Sequence, residues 1–342
     1  MILKNLNKWF FKPEIVLVTA VIGISMFIRL RSPDISRYFN FDESDYIVAM
    51  KYGFFSNYLG LHEEAGWKYI MRCVNGYKNN GEAHPWHEAM LEGDAAALRH
   101  MHPPLGYYIS AIIAGIGIES EKIIRYGILF FGIIAIVCVY LLTRQILLNE
   151  TMVARMVFAT VAALFVALSS FHVKQSIELG GHAAFSFFAV LFLLVSVVSI
   201  QRKSVKWWYS SCASLAAGFL SIEYSLLLIP SIMFTAAFLV YELKLPLRRS
   251  IQMVLYGFVI FIFALFILWP PYIYELAWIK QWITYGNMVI NPLVTKTAFK
   301  DYWLFETIIT HPGLFIGFAA IIFIIVFTVK SGMQEYTPVF WS

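Results

Sequence analysis

Residues 39–50 read FNFDESDYIVAM, and Asp42, Glu43 and Asp45 crowd into that stretch just after a long apolar run. Two kinds of chemistry suit them. Acids in a first helical turn meet the positive end of the helix dipole, worth about 0.3–1 kcal/mol each. A carboxylate held near lipid and partly desolvated can instead accept a proton from a hydroxyl, as a general base does. Asp45 suits the capping role; Asp42 and Glu43 are the better candidates for the base.

Other polar groups share the pattern of lying beside apolar runs. RHMHPPLGYY, residues 99–108, pairs His102 with Pro103 and Pro104, which stop one element and start the next. His102 suits a phosphate or a metal, or is a solvated loop histidine. HPWHE (84–88) and HMH (100–102) contain usable ligand types, but no HExxH or other closed motif is present, so no metal is expected to be required. SSFHVKQSIELGGHAAF, residues 169–185, sets Lys174, Glu178 and His182 four residues apart, which puts Glu178 and His182 on one face of a helix that then turns wholly apolar. They read either as a paired, snorkelling lysine or as functional groups at a span's edge. Glu223 stands alone between apolar segments, where a lipid-facing charge would cost about 2.5–3.5 kcal/mol or more. Arg125 opens an apolar run and could meet a lipid phosphate. Arg29 and Arg31 read as headgroup anchors.

The elements that must position these groups are membrane helices. The 342 residues are 60% hydrophobic and only 14% charged, against about 25% charged in soluble domains. Mean hydropathy is +0.69. The net charge of +5 fits basic cytoplasmic loops and gives no reason to expect nucleic acid. Cys73, Cys138 and Cys212 form no disulfide or metal-knuckle pattern. The first apolar run has no small-residue cleavage site behind it and reads as a retained span.

Spans of the required ~20 residues are expected at about 14–30, 123–142, 153–171, 179–200, 251–270 and 311–330. The stretch 207–241 is too long for one helix in a ~30 Å hydrocarbon core and is expected to split at Glu223. That makes about eight spans. An N-terminus in the cytoplasm then puts Lys4, Lys8, Lys12, Arg144, Arg155, Arg202, Lys203, Lys206, Lys244, Arg248 and Arg249 on the cytoplasmic side. Residues 104–118 are short for a span and read as an interfacial helix; a ninth span is the alternative. The expectation is an all-α integral membrane bundle, a single domain over 1–342. Its outer loops are 31–103, with about half of the chain's acids, and 271–310, rich in Trp and Tyr. Acids, cations and aromatic residues thus share the outer face, as a reaction between a lipid-phosphate donor and an external acceptor would require.

The acidic pair in FDESDYIVAM, the HPPLGYYISAIIAGIGIESEKIIRYGILFFGIIAIVCVYLLTRQ segment and LSSFHVKQSIEL together resemble the protein O-mannosyltransferase-like and aminoarabinose-transferase-like membrane glycosyltransferases of GT-C fold. The resemblance runs over about 14–330. It implies an inverting hexosyl or pentosyl transferase that moves sugar from a polyprenyl- or dolichyl-phosphate donor to a hydroxyl outside the cytoplasm. The acceptor is left open among protein, lipid and glycan. It implies Asp42 as base and Glu43 as its companion. Arg125, His102 and Lys174 would hold the donor phosphate, with Glu178, His182 and Glu223 in support and no required cofactor. Gly180 stands where the family's SQEAR-like stretch has its arginine, and the family's C-terminal part is expected to be missing. A bacterial plasma membrane is favoured over endoplasmic reticulum. The rival functions are a transporter or flippase of lipid-linked sugars, which would want polar groups at mid-membrane, and a non-catalytic scaffold.

Overall fold

The structure, a computed structural model, describes residues 13–36, 105–106, 109, 121–178, 180–270 and 273. Nearly all of them lie in one compact unit, Met1–Phe54 with Pro103–Leu268. The other unit, Phe55–His102 with Trp269–Ser342, is described only at residues 269, 270 and 273.

Among the described residues every regular element is a helix. They are α1 (Pro13–Arg31), α2 (Glu121–Ile146), α3 (Met152–Leu168), the short α4 (Ser170–Gln175), α5 (His182–Gln201), α6 (Val205–Phe219), α7 (Ile229–Glu242) and α8 (Leu247–Leu268). Short 3-10 turns cover Pro33–Ser36 and Glu223–Leu228. Pro13–Arg31, Arg125–Ile146, His182–Gln201 and Leu247–Leu268 are each long and apolar enough to cross a membrane; α3 and α7 are shorter apolar helices. The expected break in 207–241 is present: α6 stops at Phe219, and α7 starts with Pro230 in its first turn, where a missing N–H costs nothing. The expected span at 311–330 lies outside the described residues, as does the proposed interfacial helix 104–118 except at Leu105, Gly106 and Ile109, which are helical.

Residues of opposite character sort these helices around their axes. α3 puts Ala159, Ala163 and Ala167 on one face, buried against Val21 of α1 and Ile136 and Tyr140 of α2. The i, i+4 run of small side chains lets the helix backbones approach. The other face of α3 carries Phe158, Val161, Phe165 and Leu168, with Phe165 80% exposed. α8 likewise exposes Leu255, Phe258, Val259 and Phe263. Outward apolar surface of this extent is far beyond what soluble proteins carry and is the face that lipid covers. On its inner side α8 brings Gly257 against the indole of Trp208 from α6, an approach that a Cβ would block.

The helix ends alternate, and side-chain contacts tie them into two sets. Glu14 of α1 bonds Arg144 of α2 at 2.7 Å and accepts from Tyr140 at 3.2 Å. Gln145 Nε2 donates to Gln201 Oε1 at 2.5 Å, and Gln201 Nε2 donates to the Gln145 carbonyl at 2.8 Å, joining α2 to α5. Lys203 pairs with Glu242 at 2.6 Å, joining the ends of α5 and α7. The basic residues of these connections therefore share one end of the bundle, as the charge pattern expects. Two of its turns close alike. Lys203 and Lys244 take φ of 48° and 49° just past α5 and α7. Ser204 and Leu245 then donate back to the carbonyls of Ser199 and Val240 at 3.0 and 3.1 Å. This is the helix stop that usually uses glycine. Lys244→Gly is accordingly expected to stabilise the fold by up to about 1 kcal/mol by relieving a left-handed backbone, measured as a higher midpoint of thermal unfolding in detergent.

Candidate functional site

At the end opposite the basic loops, the turn after α1, residues 105–106, the start of α2, the 169–181 segment and the turn between α6 and α7 come together. α3 breaks at Ser169, whose φ, ψ of −61°, 119° are extended, and whose Oγ caps α4 by accepting from His172 N at 3.4 Å. The short α4 then turns across the bundle. Val173 of α4 and Ile177 in the turn just after it pack with Ile35 and with Leu129 of α2. Gly180 and Gly181 end this segment, because two glycines cannot hold a helix through to α5.

Arg125 is 0% exposed and its Nη1 donates to the Ile177 carbonyl at 2.9 Å. The sequence places it at the mouth of a span; the structure adds that it anchors the 170–178 segment from beneath. Lys174 is exposed at this end, Glu178 is half-buried, and His182 is exposed as the first residue of α5. The reading of Glu178 and His182 as one helix face is corrected: Glu178 lies in the turn that follows α4, and the two glycines separate it from α5. The Glu178 amide does continue the preceding turn, donating to the Lys174 carbonyl at 3.0 Å. Glu223 opens the 3-10 turn between α6 and α7 at this same end. The amide of Leu105, the residue after the HPP sequence, donates to the Leu220 carbonyl at 3.0 Å. Gly106 lies against residues 180–184, where an added Cβ would come within 3.2 Å of Ala184 and 3.3 Å of the Gly180 carbonyl. The structure therefore gathers the chain following His102, Arg125, the 169–182 segment and the Glu223 turn. Asp42, Glu43 and His102 lie outside the described residues.

The packing around the two glycines yields a paired expectation. A Cβ on Gly181 would overlap the Ser221 carbonyl, a backbone atom with no rotamer to escape into, whereas one on Gly180 meets only His182 Cδ2 at 3.8 Å. Gly181→Ala is expected to cost about 1–3 kcal/mol by overpacking, and Gly180→Ala close to nothing. Thermal unfolding of the two variants side by side checks this.

Arg29 departs from expectation. It is not a headgroup anchor: it is 0% exposed and turned into the bundle, while Arg31 is exposed with its guanidinium 5.5 Å from the Phe27 ring centroid. Arg29 Nη1 donates to Ser25 Oγ at 2.5 Å, the Ser25 carbonyl at 3.1 Å and the Ala167 carbonyl at 3.2 Å. Its Nη2 donates to His172 Nδ1 at 2.7 Å. A guanidinium has no lone pair to offer, so His172 must be neutral with its proton on Nε2. Burial, and after it the charge of Arg29, push His172 down to about 4. The partners of Arg29 among the described residues are all neutral, which leaves a buried positive charge at this end.

The His172 shift has a signed consequence. With a folded-state value of about 4 against an ordinary 6.5, the unfolded chain takes up the proton first as pH falls. Stability is therefore expected to be level above about pH 6.5 and to decline from there toward pH 4, and His172→Gln should flatten that decline. Melting temperature against pH for both proteins measures it.

The described residues form a helical bundle with four helices long and apolar enough to cross a membrane, and two buried arginines, Arg29 and Arg125, lie at the end opposite the basic loops, an architecture consistent with a GT-C-type membrane protein. Residues 101–269 match the model of the dolichyl-phosphate-mannose-protein mannosyltransferase family. That segment contains Arg125, Lys174, Glu178, His182 and Glu223, and it begins just before His102. No curated protein and no solved structure matches the chain.

Proposed function

We propose that the chain is an inverting, mannosyltransferase-like glycosyltransferase that takes its sugar from a polyprenyl or dolichyl phosphate at the end of the bundle opposite the basic loops. A protein hydroxyl is the acceptor favoured by the family match. The observation that carries the reading is Arg125, fully buried and bonded to Ile177, which joins two of the segments that the family match spans.

In this reading the acceptor oxygen attacks the anomeric carbon from the side opposite the phosphate. Asp42 takes the acceptor's proton and Glu43 orients the attack. The bond between the anomeric carbon and the phosphate oxygen breaks, and its electron pair leaves with the polyprenyl phosphate. His102 and the exposed Lys174 meet that phosphate, while Arg125 supports them from below. Positive charge placed where negative charge develops is worth about 2.7–4 kcal/mol per well-aimed donor. Gly180 supplies no cation, and the buried Arg29, whose partners among the described residues are neutral, adds positive charge at the same end. Basic side chains carry the leaving group here, so transfer should survive a chelator.

The sidedness has a built-in reporter. Cys73 lies in the 31–103 loop, whereas Cys138 and Cys212 are buried. A membrane-impermeant maleimide added to intact cells, or to sealed vesicles that expose the lumenal face, should label the chain at Cys73, and Cys73→Ser should remove the label. Labelling that needs access from the cytoplasmic side would overturn the orientation.

A further inference from the structure

The basic end of the bundle holds a second feature, distinct from the site above. Arg125 and Arg144 stand on the same helix, 19 residues apart, which is about 28 Å along its axis. Beside Arg144 is a cavity of about 410 Å³, formed where α2, α3, α5 and α6 converge. Its polar rim carries Arg144, Arg155 and Trp207, and its wall carries Leu191, Leu194 and Val198. The Gln145–Gln201 pair holds two of these helices together at its edge.

The charges on this rim are not balanced. Arg144 is neutralised by Glu14 at 2.7 Å. Arg155 has no such acid among the described residues, and its Nε is buried with no hydrogen-bond partner there. The Arg202 guanidinium lies 5.6 Å from the Trp207 ring centroid and adds further positive charge. A planar guanidinium presents its donors in a fork that matches phosphate oxygens. The aliphatic wall suits no soluble anion but does suit the first carbons of an acyl chain. Basic pockets between helices at the cytoplasmic face are where phosphate headgroups settle.

We propose that this cavity binds an anionic phospholipid from the leaflet at the basic end, with its phosphate on Arg155 and an acyl chain along Leu191, Leu194 and Val198. The lipid would complete the contact between α3 and α5, whose facing ends the cavity separates.

The test uses the full chain purified in mild detergent, with native mass spectrometry and thermal unfolding as readouts and phosphatidylglycerol, phosphatidylcholine and inorganic phosphate as probes. Wild type should retain a single phosphatidylglycerol in preference to phosphatidylcholine, and that lipid alone should raise the melting temperature. Arg155→Gln should weaken phosphatidylglycerol binding about tenfold, the scale of one charge-assisted hydrogen bond. Leu194→Trp, which fills the cavity, should abolish binding; should that variant fail to fold, Arg155→Gln decides. Equal retention of the two lipids, unchanged binding by Arg155→Gln, or equal stabilisation by inorganic phosphate would each overturn the proposal. Sugar transfer is not the readout, so failure here leaves the glycosyltransferase reading standing.

Discussion

Asp42→Asn is expected to reduce sugar transfer about 10²–10⁴-fold, the usual contribution of a positioned general base, while leaving donor affinity nearly unchanged. The amide is close to the carboxylate in shape but cannot take a proton. The effect should therefore fall on turnover rather than on binding. Asp45→Asn, three residues along the same stretch, should transfer sugar at close to the wild-type rate, since that acid suits a helix cap. Initial rates of label movement from a polyprenyl-phosphate sugar, with lipid binding measured separately, distinguish the outcomes. An Asp42→Asn variant that binds donor and transfers at the wild-type rate would remove Asp42 from the mechanism.

Arg125→Met should be the second severe change, because Arg125 is charged, fully buried and bonded to the Ile177 carbonyl at 2.9 Å. Methionine replaces most of its volume and none of its donors. The Ile177 carbonyl then loses a charged donor, a cost of about 1.5–3 kcal/mol, and the 170–178 segment loses its tether. Transfer is expected to fall by about 10²-fold or more, as when one preorganised donor is removed. Arg125→Lys separates the two contributions. It keeps the charge and gives up the fork, so it should recover stability more than activity. Melting temperature and transfer rate for the pair read this directly. Full activity in Arg125→Met would show that this cation has no part in holding the phosphate or the segment.

Most of the bundle was legible because lipid imposes a simple rule on composition. Apolar runs of about 20 residues must be helices with every backbone group paired inside the segment. The lone acid Glu223 in a 35-residue apolar stretch marked a break, and the structure puts a 3-10 turn there. The loop cations gave the common end of the helices, through charge rather than through any contact readable in one dimension.

What was not legible depended on partners far along the chain. Arg29 follows an apolar run and so reads as an anchor in headgroups. It is buried because the Ala167 carbonyl and His172, 138 and 143 residues away, meet it. The turn after Glu178 did leave a signal: two consecutive glycines break a helix, and they outweigh the four-residue spacing that suggested a shared face for Glu178 and His182. The lysines in left-handed turns left none, since their stop is normally written with glycine. Of the candidate site, Arg125, Lys174, Glu178, His182 and Glu223 lie on described helices and turns, and their roles in transfer are part of the proposal. Asp42, Glu43 and His102 were identified from sequence and stand as proposals.

The central claim is that this chain transfers sugar from an isoprenoid phosphate with inversion. The most direct measurement reconstitutes the purified protein in liposomes with polyprenyl-phosphate β-mannose and a Ser/Thr peptide, then reads the product's anomeric configuration by NMR. The account expects an α-linked mannosyl peptide and one equivalent of released polyprenyl phosphate. A β-linked product, or intact donor after incubation with folded protein and acceptor, would contradict it.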